Sequence, residues 1–533
     1  MYRSPPEVVA LTPAGACGVR ASLACVGQRW PQSAVRAVVI GLGGFAAAAP
    51  AWAQAAAPSR AWLIQPSVSV SQTLTNNLAL SAIDPLSDAV TRLTAGVAVQ
   101  ANAGAVRGFL DYTLSGLVHA RHPDRNTVLN SLTTVFGADL VPGRAKLDVS
   151  GTVSRSAISA FGAQPGAGGG VQGNATELRQ LRVAPSAIGP LGSGLRYSTS
   201  LSLEASDAKD SVLGDSTTAN WAAHVEPTTR GAISWSVDGA LLRSDFKAGR
   251  ATSDDRLFAS ARWRLDNFDT VLTGSAGLEV TDMTTATRQR FTNWGLGATW
   301  TPSPRTSVSA QYDDRFFGPS RRLSLDHRTA LTSWHLGKSR SLSTNGGGSE
   351  LSGRSTAFQL LDAQFSSAIP DAVKRAEFVT AYLQSQGFSP TADPGFLRAS
   401  VLVQDLEEIS FAMRGVRSTA VLRWTRTRST RLGTQPGIAD DLAVSSQVNL
   451  QGLALDLTHR LTPHSSAGLV LSDQRGSGLT ANQNNHQRRL SLRYSLRPSA
   501  NIDASVIVSR ALYDSFPAPY GESAVIVTLG YRF

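Results

Sequence analysis

Eight histidines and a run of paired charges are the residues in this chain with the greatest capacity for chemistry. His119, His122 and Asp124 sit close enough to suggest a metal cluster, but they fall where a strand runs into its loop, which favours a solvated loop. Ser465 and Ser466 follow His464, and acyl hydrolysis would need a third, acidic or amide member at the same rim. None is identifiable, and neighbouring side chains in a strand point to opposite faces. The remaining histidines, His224, His327, His335, His459 and His486, make no H-x-x-x-H pair on a helix. There is no G-x-S-x-G elbow, P-loop or dinucleotide fingerprint. The sequence therefore predicts a protein that is not an enzyme and carries no cofactor or metal.

The charges are more telling. Asp313, Asp314, Arg315, Arg321, Arg322, Asp326 and Arg328 crowd two adjacent strands and their turn, and Arg423, Arg489, Arg493, Arg497 and Arg532 extend the basic character. A charge facing lipid near the bilayer midplane costs about 2 to 4 kcal/mol, so these groups are expected to face inward as a lumenal charge ladder. Such a basic, wet lumen would attract an anionic solute through fields focused by low-dielectric walls. Barrel hydration and charge balance would also account for it.

Those charges must be positioned by strands. Ser523 to Phe533, S-A-V-I-V-T-L-G-Y-R-F, places Val525, Val527, Leu529, Tyr531 and Phe533 on one face. That is a lipid-facing closing strand for membrane targeting, of the length that crosses a bilayer. Leu490, Leu492, Tyr494 and Leu496 alternate with Arg489, Arg493 and Arg497 in the same way. Similar segments recur from Ser67, among them Arg92 to Ala101, Ala145 to Ser156, Ile233 to Phe246, Leu257 to Asn267 and Thr306 to Phe317. Short connectors such as Val141-Pro142-Gly143 read as periplasmic turns, and the longer Gly162 to Asn174 and Asn482 to Arg488 as outer loops. Trp62, Trp221, Trp235, Trp294, Trp300, Trp334 and Trp424, with Tyr312, Tyr494 and Tyr531, suit interfacial girdles. The expected fold is all-β, a transmembrane antiparallel barrel of about 16 to 20 strands over residues 67–533.

One region departs from period two. Within Thr356 to Gly387, Val373, Ala376, Val379, Tyr382 and Leu383 recur at helical spacing after Pro370-Asp371, so a partly helical insertion is expected over 356–405. It is either a plug in the lumen or a loop on the rim.

The amino terminus reads as a leader and signal peptide over 1–53. Arg29 and Arg36 precede an apolar run, and Ala51-Trp52-Ala53 supplies a cleavage site. Residues 54–66 would be a periplasmic segment. Cys17 and Cys25 both lie in the leader, which excludes disulfides and cysteine chemistry from the mature chain. The chain has 50 Lys and Arg against 39 Asp and Glu; Arg3, Arg20, Arg29, Arg36 and Glu7 belong to the leader, leaving 46 against 38. So mild and dispersed a surplus argues against nucleic acid as a partner. The expected location is the outer membrane of a Gram-negative bacterium, with lipid, lipopolysaccharide and the barrel assembly machinery as partners.

Ser67 to Leu80 (S-V-S-V-S-Q-T-L-T-N-N-L-A-L), Tyr312 to Gly318 (Y-D-D-R-F-F-G) with His327-Arg328 following, and Leu529 to Phe533 give a resemblance. Across nearly the whole mature chain it resembles the uncharacterised outer-membrane barrel family associated with the PEP-CTERM and exosortase system. The segment from Thr356 to Gly387, continuing through Pro394 to Asp405, resembles that family's interrupted central region. The resemblance implies a pore or scaffold in exopolysaccharide secretion, with anionic polysaccharide and periplasmic secretion components as further partners. A general porin for small anionic solutes and an outer-membrane barrel hydrolase are the alternatives.

Overall fold

The computed structural model describes residues 61–162, 173–229, 231–344, 346, 356–366, 369–370, 375–376, 378–380, 382–383, 395–433, 440–480, 483–515 and 519–533. The expected leader, its cleavage site, Val373 and Gly387 lie outside them.

The wall is a single antiparallel meander of 22 strands, from β1 (Trp62–Thr75) to β22 (Tyr520–Arg532). It closes on itself where Ser67 pairs with Arg532 and Thr75 with Ala524. Closure leaves no unpaired edge, so the backbone groups that cross the hydrocarbon are paired along continuous ladders, with a local break at Ala184 and Pro185 between two of the strands. Among the described residues no helix is long and apolar enough to cross a membrane; the crossing is by strands. The molecule is an outer-membrane protein of a Gram-negative bacterium.

Alternation decides which face meets lipid. In β22, Val525, Val527, Leu529 and Tyr531 are 37 to 53 % exposed, whereas Ala524 and Gly530 on the opposite face are buried. Trp235, Trp294, Trp300 and Trp334 are exposed on the same outward face. A one-residue slip in any strand would turn this apolar set inward, so the pattern and the register enforce each other.

The wall has 22 strands where about 16 to 20 were expected, because the stretch after Arg328 hides its period. In β17 (Ser418–Arg431), S-T-A-V-L-R-W-T-R-T-R-S-T-R, arginines occupy both faces: Arg423 shares a face with Val421, while Arg426 and Arg428 share the face of exposed Leu422. β16 (Leu402–Arg414) is similar, with Glu407 and Glu408 on opposite faces. At the other boundary β1 begins at Trp62, so residues 62–66 belong to the wall. Much of Asn482 to Arg488, expected as loop, lies in β20 (Asn484–Leu496).

The two ends of the barrel differ. At one end the connectors are tight, as between Val141 and Ala145, Ser303 and Thr306, and Thr462 and Ser465. Gly143 takes φ +70° there, a value that suits glycine. At the other end most connectors are longer, the turn from Arg315 to Gly318 being an exception, and the longest joins Ser343 to Leu402. Short turns face the periplasm and long loops the exterior.

Candidate functional site

The long connector leaves the wall after β15 (Thr332–Ser343) and contains the helix α1 (Thr356–Phe365). Residues 375–376, 378–380 and 382–383 are also helical. Phe358, Leu360, Leu361 and Phe365 of α1 form a buried cluster with Ala376, Val379 and Leu383, and with Ala412 of β16 and Val421 of β17. Ala412 and Val421 are fully buried, whereas their strand neighbours Met413 and Leu422 are exposed on the lipid side. Because side chains alternate, the helical cluster sits against the inner face of the wall.

It does so near the short turns. Arg328, at the end of β14 (Gly318–Arg328), donates from Nη1 to the Ala363 carbonyl at 3.0 Å and from Nη2 to the Pro304 carbonyl at 3.1 Å. The Arg414 guanidinium lies 4.4 Å from the centre of the Phe365 ring. Arg375 Nε donates to Asp362 at 3.0 Å, tying the helical pieces together. Between α1 and the wall is a cleft of about 670 Å3, lined among others by Asp326, Arg328, His335, Gln359, Leu360 and Ser410. His335 Nδ1 and Asp326 are 2.7 Å apart.

The returning segment of the connector is different. Phe396 to Val401 are all buried. The Leu397 N–H donates to Ala157 at the end of β5 (Ala145–Ala157), 3.0 Å; the Arg398 carbonyl accepts from Gly214 N–H, 3.1 Å; the Val401 carbonyl accepts from Leu432 N–H, 3.1 Å. β5 and β17, which ends beside Leu432, stand nearly opposite each other in the ring of 22 strands. This rim segment thus bonds to both sides of the long-loop end. Its side chains share three apolar clusters: Phe396 packs with Ala160 and Leu442, Leu397 with Leu178 and Ala208, and Val401 with Phe246 and Met283.

Of two neighbouring acids, Asp440 bonds to the segment itself, and Asp441 bonds to the connector after β5, next to Leu442, which packs on Phe396. Asp440 accepts from the Ala399 N–H at 3.2 Å, and Asp441 accepts from Ser159 Oγ at 2.8 Å and the Ala160 N–H at 2.6 Å. Burial pushes the Asp441 carboxyl above its usual range against those hydrogen bonds. Arg398 is 1 % exposed and reaches Ser343 Oγ. Burial lowers its guanidinium to about 10, offset by Asp440, so it stays protonated at neutral pH.

The charged residues singled out in the sequence are dispersed. Arg315, Arg322, Asp326 and Arg328 lie on the inner face of β13 (Thr306–Arg315) and β14, but Asp314 and Arg321 share the outward face with Tyr312 and Leu323. Arg315 pairs with Asp254 at 3.2 Å and with Glu279. Arg423 faces Asp456 at 3.8 Å, and Arg532 pairs with Asp503 at 3.4 Å. Arg489 and Arg493 are on the inner face of β20, and Arg497 follows it in a turn. They form no single track. His119 pairs with Asp88 at 3.1 Å; among the described residues no group of His, Cys, Asp and Glu is arranged to hold a metal.

Sequence reasoning located the insertion but missed Phe396 to Val401, Asp440 and Asp441. The only available signal was F-L-R-A-S-V-L, an apolar run with one arginine and no period of two or 3.6.

No family model and no curated protein matches the sequence. Among solved structures the chain is similar to the FrpB iron transporter from Neisseria meningitidis (9 % identity, TM-score 0.46, 88 % of this chain and 81 % of that one). It is similar to BauA, the ferric preacinetobactin receptor from Acinetobacter baumannii (10 %, TM-score 0.43, 88 % and 80 %). It is also similar to the siderophore receptor PirA from the same organism (8 %, TM-score 0.43, 88 % and 80 %).

These findings correct the sequence reading. The three similar structures just named are an iron transporter and two siderophore receptors, not exosortase-associated barrels, so the family assignment and the exopolysaccharide-secretion role do not stand. Anionic polysaccharide and periplasmic secretion components go with them as partners, as does the porin-like description. A polyanion or a stream of anions needs a continuous basic passage. Here inner arginines face Asp254, Glu279, Asp456 and Asp503, and the rim segment bonds to both sides of the long-loop end.

Proposed function

We propose that this chain is an outer-membrane transport barrel closed at rest by its own insertion, which opens when the rim segment Phe396 to Val401 leaves its contacts. The observation that carries this reading is the complete burial of that segment between connectors on opposite sides of the ring. An ordinary surface loop would leave its backbone groups to water. The helical cluster on Ala412 and Val421 would then be the inner end of the same plug, and the cleft beside Asp326 and His335 a vestibule toward the periplasm.

The test is conductance in planar bilayers. The wild-type barrel is expected to show brief, infrequent openings, and a Leu397→Asp variant, whose carboxylate cannot stay between Leu178 and Ala208, sustained ones. A steady, large wild-type conductance would refute the reading. Cargo is then sought by liposome uptake, with ferric chelates, the class named for the similar structures, set beside neutral oligosaccharides of equal size.

A further inference from the structure

We infer that the outward face of β14 to β17, just above the hydrocarbon on the long-loop side, is a binding site for the phosphate groups of an outer-leaflet glycolipid. The sequence assigns lipid to the wall in general; the register assigns phosphate chemistry to this patch.

Directly paired residues build three stacked rows on the outer face. The lowest is apolar: Leu325, Leu336, Ile409 and Trp424. Above it Leu323 is followed by Lys338, Glu407 and Arg426, and above that come Arg321, Arg340, Asp405 and Arg428. Lys338 donates to Glu407 at 2.8 Å and Arg340 to Asp405 at 3.0 Å. Arg426 lies 4.0 Å from Glu407, and Arg428 Nε donates to Asn449 at 3.3 Å. Within these rows five cations therefore share two carboxylates, with Asp314 of β13 as the next outward acid, diagonal to Arg321, and Arg321 stands directly opposite Arg340.

Like charges directly opposite across a ladder are destabilising, unless an anion bridges them. Arginine forks suit phosphate oxygens, and the apolar row beneath would meet acyl chains. Arg321, Lys338, Arg426 and Arg428 are exposed. Depth separates this site from a soluble-anion site: a free anion gains nothing from Leu325, Leu336 and Ile409, whereas an amphiphile is held by both rows.

Native mass spectrometry of the purified full chain in neutral detergent, titrated with bisphosphorylated lipid A, tests the assignment. The wild type is expected to retain the lipid, and Arg321→Gln/Arg340→Gln to bind it about tenfold more weakly. The inner-face control Arg322→Gln should stay close to wild type, and the charge-keeping Arg321→Lys/Arg340→Lys, which loses the forks but not the charge, should fall between wild type and the glutamine pair. Folding of each variant is checked by heat-modifiable migration; if the first pair does not fold, Arg426→Gln/Arg428→Gln gives the same reading. The proposal is overturned by unchanged retention in both glutamine pairs, by equal retention of dephosphorylated lipid, by displacement with equimolar inorganic phosphate, or by a dimer that buries the patch and excludes lipid.

Discussion

The two ends of the insertion are held by different physics. At the long-loop rim, Phe396 to Val401 are fixed by directional bonds to Ala157, Gly214, Asp440 and Leu432 as well as by burial. At the short-turn end, α1 rests on Ala412 and Val421 through apolar area, with Arg328 and Arg375 as its polar ties. Directional bonds fail together once geometry is lost, whereas apolar contact weakens gradually as a surface slides. The rim is thus built as a latch, and the helical end as a seat that tolerates displacement.

The strongest way to break the comparison is to lock the rim covalently. Ala157 and Phe396 form a bridge pair, and the chain's only cysteines are Cys17 and Cys25. An Ala157→Cys/Phe396→Cys disulfide should abolish channel openings while leaving the barrel folded, and reductant should restore them. Openings that persist with the crosslink formed would mean that the rim is not the latch.

A smaller effect is expected at the seat. Leu361 is completely buried in the helical cluster, and Leu361→Ala should weaken docking of α1 by about 2 to 5 kcal/mol. Proteolysis of the insertion should speed up while the unfolding temperature of the wall hardly moves, because the ladders close without α1. A matching fall in wall stability would show that seat and wall are one cooperative unit.

The smallest effect is electrostatic and belongs to the rim alone. Burial raises the Asp441 carboxyl above 3.8, so the docked rim binds its proton more tightly than the released one. The stabilisation is complete below 3.8 and is lost as pH rises through the raised value. Openings should accordingly become more frequent from acid toward neutral pH, and Asp441→Asn should flatten that profile. A wild-type profile that is flat or runs the other way would remove Asp441 from the latch.

How much of this was legible depended on the local period. Val525 to Phe533 and Leu490 to Leu496 display their lipid face because apolar and polar residues alternate cleanly. β16 and β17 do not, since their outward charges sit above the apolar row where lipid no longer forbids them. Ala376, Val379 and Leu383 carried helical spacing and do pack together. Arg321 and Asp314 face outward, because the hydrocarbon penalty acts only within the apolar band and both lie beyond it.

The chain's order of residues was enough to dictate a closed wall, because each strand must satisfy lipid on one side and pleat geometry repeats every two residues. Where the insertion lies relative to that wall was decided by contacts between segments hundreds of positions apart, such as Leu397 with Leu178 and Phe396 with Ala160. So too was the pairing of Arg321 with Arg340, which exists only once β14 and β15 have settled into register. Local patterning encodes which face is apolar; only closure of the ring determines which faces meet.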